Sequence, residues 1–181
     1  MIRILVALVA FLPAVASAAD TLTRDEVQSF KSVTQTLEGL SERYPDLEAD
    51  LSPDPGEAMQ MMSRMIGDDG KVRMFSMLME RVLEHPQFAD EVRRAVGAAG
   101  FSSMASFTDI GNRVVAAMMR SETGPEELRQ MASMGAMPES QLKMMPEGVR
   151  EMARFGPLLA RAMEDVPQED VALVRELRPF E

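Results

Sequence analysis

Eighteen of the 181 residues are methionine, and the chain has no cysteine. Thioether sulfur is therefore the only soft metal ligand available, and it suits Cu(I). The methionines gather as Met59, Met61, Met62 and Met65; as Met74, Met77 and Met79; and as Met131, Met134, Met137, Met144 and Met145. Two further uses compete with metal binding. Methionine is an adaptable core filler, and its flexible, polarizable side chain also lines grooves that accept varied apolar partners. Met59, Met62, Met74, Met79, Met104, Met118, Met152 and Met163 lie on stripes with helical spacing and are read as core. Segment 131–145 differs, because Gly135, Pro138 and Pro146 prevent it from forming one regular helix. Some of its methionines are expected near solvent. Met131, Met134, Met137, Met144 and Met145 are the expected partner-binding surface, joined by Met61, Met65 and Met77. Under the metal alternative, Met131, Met134 and Met137 are the ligands.

The other candidate groups give less. His85 is the sole imidazole, so a Ser-His-Asp site would have to use it. It precedes Pro86, where a helix must end, and its ordinary role there is to meet the helix dipole. Asp68 and Asp69 sit between Gly67 and Gly70 without the alternating oxygen ligands or closing glutamate of a calcium loop, so they read as a polar turn. Asp46, Glu48, Asp50 and Asp54 read as a solvated acidic loop. A glycosidase-type carboxylate pair must face across a cleft, which sequence alone does not show. There is no phosphate loop, Cys/His metal set or nucleophile elbow. The expectation is a non-enzymatic protein with no catalytic residue and no cofactor.

The amino-terminal segment bears on location. Met1-Ile2-Arg3 is followed by the apolar run Ile4–Leu12, then Pro13, then Ala16-Ser17-Ala18. These are the three parts of a secretory signal peptide. Residues 1–18 are read as that signal, with cleavage after Ala18 or Ala19, and the protein as exported, periplasmic if the source is Gram-negative. An uncleaved anchor would need about 18–20 uninterrupted apolar residues, and Pro13 and Ser17 interrupt the run. Residues 1–18 carry one charge, Arg3, so cleavage leaves 18 basic against 29 acidic residues, a net charge of -11. That balance argues against nucleic acid and against anionic membrane surfaces. The expected partner is an apolar ligand or protein, with no membrane span left after cleavage.

These side chains must be positioned by helices. Helix formers dominate and no strand-like alternation is sustained, so the chain is expected to be all-α: an irregular bundle of about seven to nine short helices with no sheet. Residues 19–181 form one expected domain, with a hinge over 44–56, where Pro45, Pro53 and Pro55 could leave the first helix loosely attached. Prolines followed by acids at Pro55, Pro125, Pro138, Pro146 and Pro167 mark helix starts. Thr23…Glu26 and Thr123…Glu126 have capping-box spacing. The expected helices are 24–43, 55–66, 71–84, 87–98, 103–120, 125–134, 139–145, 147–165 and 168–176. Helix 71–84 has the widest apolar arc and is expected at the centre, with Phe75 and Leu78 both buried. Helix 103–120 reads as a surface helix with one inward stripe (Met104, Phe107, Ile110, Val114, Val115, Met118). Helix 147–165 is expected to bury Val149, Met152, Phe155, Leu159 and Met163.

Leu22-Thr23-Arg24-Asp25-Glu26, directly after the signal, resembles the Leu-Thr-x-x-Gln opening of the small helical periplasmic stress chaperones. Glu26 stands where that motif has glutamine, and there is no second copy. That family uses a basic concave face, whereas this chain is acidic. The whole chain resembles small all-helical secreted proteins of Gram-negative bacteria. This resemblance implies a periplasmic address and assigns no functional residue.

Overall fold

A computed structural model describes residues 21–43 and 55–180. The described residues are all-helical: Arg24–Arg43 (α1), Pro55–Arg64 (α2), Met74–Leu83 (α3), Pro86–Ala98 (α4), Met104–Glu122 (α5), Pro125–Met134 (α6), the single turn Glu139–Leu142 (α7), Glu147–Glu164 (α8) and Gln168–Leu177 (α9). Their only β-type pairing is one bridge, Ile66 to Val72, in the α2–α3 connection. No described helix is long and apolar enough to cross a membrane. The expected signal peptide and nearly all of the expected hinge lie outside the described residues.

The helix ends follow local chemistry. At α1, the Thr23 backbone N–H donates to Glu26 Oε2 at 2.7 Å and the Glu26 N–H donates to Thr23 Oγ1 at 3.3 Å, a reciprocal capping box. The second expected box is shifted by one residue. The Gly124 N–H donates to Glu127, while the Thr123 hydroxyl turns back to the Met119 carbonyl and closes α5. Pro55, Pro86 and Pro125 open their helices, whereas Pro138, Pro146 and Pro167 stand one residue ahead of theirs. Gly100, at φ 89°, ends α4. Its left-handed conformation lets the Phe101 N–H reach back to the Val96 carbonyl and carries the Phe101 ring into the core.

That core is built on aromatic rings. Phe30, Phe75 and Phe107 meet with centroids 5.1–5.6 Å apart, and Phe101 and Phe180 extend the cluster. Mostly tilted and edge-to-face arrangements of this kind suit the ring quadrupoles. Gly111 makes the packing feasible, since a Cβ there would fall 2.1 Å from the Phe75 ring. The central helix is α5, which touches α1, α3, α4, α8 and α9 and buries residues from Phe107 to Ala117. This corrects the sequence expectation, which placed α3 at the centre. In α3, Phe75, Met79 and Val82 are buried, but Leu78 is 42% exposed and Met74 is also exposed. The apolar arc of α3 is wider than the surface covering it. Leu78 stands one helical turn before Arg81, whose side chain reaches Met61 and Glu57 of α2. Nor is α1 loosely attached, for it buries Val27, Phe30 and Val33 in the core.

A smaller cluster holds α6 to α8: Leu128, Ala160 and Met163, with Met119, Met131 and Leu159 packed around them. Glycines bring these two helices close. A Cβ on Gly156 would lie 3.3 Å from both the Met131 carbonyl oxygen and the Met134 sulfur, and one on Gly135 would lie 2.7 Å from the Pro157 ring.

Candidate functional site

The methionine segment does not form one uniform surface. Met131 packs into the α6–α8 cluster, and Met134 places its sulfur over Gly156, so both turn toward α8 and are half-buried. Met137 and Met145 are half-buried in the turns flanking α7, and Met144 is 86% exposed. Met61, Met65 and Met77 are all half-buried, and Met61 accepts a contact from Arg81 Nη1 at 3.5 Å.

A second apolar element adjoins this segment. On α8 a stripe of Ala153, Gly156, Ala160 and Met163 is buried. Val149 and Met152 continue the same stripe toward the helix start, yet they are 45% and 50% exposed. This overturns the expectation that both are buried. Helical periodicity identifies the apolar face but not where the covering element stops. Met144, Val149 and Met152 thus place exposed apolar side chains at the amino-terminal end of α8.

The polar residues that matter most were not singled out by the sequence. Asp170, in the first turn of α9, is one of two buried polar residues among those described, the other being Thr34. Asp170 Oδ1 accepts a 2.6 Å hydrogen bond from the Leu22 N–H, and Oδ2 lies 3.6 Å from Arg113 Nη2. Burial pushes the Asp170 carboxyl above its ordinary value of 3.8; the Leu22 bond and the Arg113 charge oppose that shift without cancelling it. Arg113 Nη2 is itself buried and has no hydrogen-bond acceptor. A sequence signal did exist: Asp170, Val174 and Leu177 stand at i, i+4 and i+7, an acid on an apolar stripe.

Asp170 and Arg113 line a cleft of about 870 Å³ between the α2–α3 connection, α3, α5 and the α8–α9 corner. Within it the Asn112 side chain is fixed by α3: its Oδ1 accepts from the Ser76 N–H at 2.9 Å, and its Nδ2 donates to Ser76 Oγ at 2.6 Å. Asp68 and Asp69 form the tight polar turn expected, closed by the Gly70 N–H donating to the Gly67 carbonyl, with Gly70 at φ 76°. Among the described residues, no three His, Asp or Glu side chains form a group able to hold a metal ion. His85 caps the start of α4 through its carbonyl, and its ring stacks edge-on to Phe88 at 6.1 Å. No protein-family model, curated protein or solved structure matches this chain.

Proposed function

We propose that this is an exported, non-enzymatic binding protein that receives an apolar helical segment of a partner protein at the amino-terminal end of α8. The observation carrying this reading is the α8 stripe, buried from Ala153 onward and exposed at Val149 and Met152, with Met144 exposed in the turn that precedes the helix. Val149 and Met152 are one helical turn apart, the spacing at which an amphipathic helix offers its own apolar side chains. Methionine in such a patch lets the surface adapt to its partner. Export rests on the three-part composition of residues 1–18. N-terminal sequencing of the protein from its native compartment should find Ala19 or Asp20 first, and an intact Met1 in the membrane fraction would refute the address.

The binding reading is tested with a fluorescent amphipathic peptide carrying a leucine face. Anisotropy should show saturable binding. Val149→Glu with Met152→Glu should weaken it by about tenfold or more while leaving the helical circular dichroism unchanged, since both side chains are half exposed already. Unchanged binding in that variant would overturn the site. A Cu(I) titration under reducing, anaerobic conditions decides the metal alternative. Stoichiometric uptake, lost when Met131, Met134 and Met137 become Leu, would favour it, because Leu preserves volume while removing sulfur.

A further inference from the structure

Every sulfur in this chain is a thioether, because there are eighteen methionines and no cysteine. Oxidant chemistry that elsewhere falls on thiols therefore falls here on methionine. Burial sorts the methionines. Met79 and Met163 are 2% and 1% exposed and lie closed in the core. Among the described side chains, the exposed methionines are Met74 at 45%, Met144 at 86% and Met152 at 50%. Two of these stand at the docking end of α8: Met152 on its apolar stripe, and Met144 in the turn before the helix. Met74 stands elsewhere, at the start of α3.

Neither side chain at the docking end is needed to hold the fold. The backbone fixes the turn at Met144, whose N–H donates to the Gln141 carbonyl at 3.1 Å, as the Met145 N–H does to the Leu142 carbonyl. Met152 is carried by α8, whose buried side chains begin at Ala153. Oxidation at either sulfur therefore leaves the core packing in place and changes the surface instead. A sulfoxide replaces an apolar, flexible thioether with a polar group. The leucine face of a partner helix offers the new oxygen no donor, so burying it there is unfavourable.

We propose that Met144 and Met152 form an oxidation switch that releases the partner helix, an inference that rests on the docking reading above. The thioether sulfur attacks one oxygen of a hydroperoxide. The O–O bond breaks, an S–O bond forms, and the other oxygen leaves as water or an alcohol. Sulfur loses two electrons and the peroxide gains them. A methionine sulfoxide reductase reverses the step, releasing the oxygen as water while a dithiol becomes a disulfide.

The test treats the purified protein with dilute hydrogen peroxide and follows each methionine by mass spectrometry of its digest. Anisotropy of the leucine-faced peptide is read in parallel. Met144 should oxidise first, Met74 and Met152 next, and Met79 and Met163 only on unfolding. Peptide affinity should fall by about tenfold as Met144 and Met152 gain oxygen, with the helical circular dichroism unchanged. A mixture of A-type and B-type reductases, one for each sulfoxide epimer, should restore it. Met74→Leu should lose affinity on oxidation as the parent does. In Met144→Leu with Met152→Leu, affinity before and after peroxide should be the same, whatever its starting value. No peptide binding by the untreated parent would overturn the docking reading and this inference with it. Three results would overturn this inference alone: binding that survives full sulfoxidation of both residues, a peroxide-dependent loss that persists in the double Leu variant, or core methionines that oxidise as fast as Met144.

Discussion

Asp170 shows how a single side chain can work against the stability of its own fold. Its carboxyl is pushed above the ordinary 3.8 by burial, so the folded chain holds that proton more tightly than the unfolded chain does. The contribution is then fully present below the unfolded value and is lost as pH rises through the folded one. Unfolding free energy should accordingly gain from Asp170 as pH falls from neutral toward 3.8. Asp170→Asn resembles the protonated acid and keeps an oxygen for the Leu22 N–H. The variant should be at least as stable as the parent at pH 7 and should lose this component of the acid gain. Urea unfolding of both proteins across that range measures it. A large loss in the variant at pH 7 would mean that the Arg113 charge outweighs burial.

At the scale of elements, much of the architecture was legible and its interfaces were not. Helix limits followed from prolines, caps and glycines, which act within a few residues of chain. Thus α1 and α6 have the expected ends, and most others differ by one to three residues. The order of burial was not legible in the same way. Phe75 and Leu78 share an apolar arc in sequence, but only Phe75 meets the rings of α1 and α5. Gly111 reads as an ordinary helix glycine until the Phe75 ring is seen against it. The cleft was unreadable for a related reason. Asn112, Arg113 and Asp170 become neighbours of Ser76 and Leu22 only through long-range packing. Phe75→Ala should cost about 3–5 kcal/mol, the range for a buried aromatic. Leu78→Ala should cost under about 1 kcal/mol, because the side chain already meets solvent. Chemical denaturation compares the two, and equal costs would restore α3 as the central helix.

For the molecule as a whole, the two ends of the described chain are fastened together. The Leu22 N–H donates to Asp170, Arg24 grips Glu176 through two bonds of 2.7 and 2.8 Å, Lys31 donates to the Leu177 and Arg178 carbonyls, and the Thr34 hydroxyl donates to the Pro179 carbonyl. The Phe180 ring lies edge-on to Phe30 at 5.6 Å. Removing residues 179–181 deletes the last hydroxyl contact and that ring contact together. The truncated chain should lose about 1–3 kcal/mol of unfolding free energy, read from its urea midpoint, and an unchanged midpoint would show that the fastening is ornamental. The same arrangement governs the order of events during synthesis. A ribosome releases α1 first, but the partner that seals it is encoded some 148 residues later. Until α9 has emerged, the nascent chain lacks the partners of the Leu22 N–H, Arg24 and Lys31, and contacts so distant are slow to close. The growing polypeptide therefore closes this last seam only when nearly its full length has been made, and synthesis halted before α9 leaves the Leu22 N–H, Arg24 and Lys31 to water.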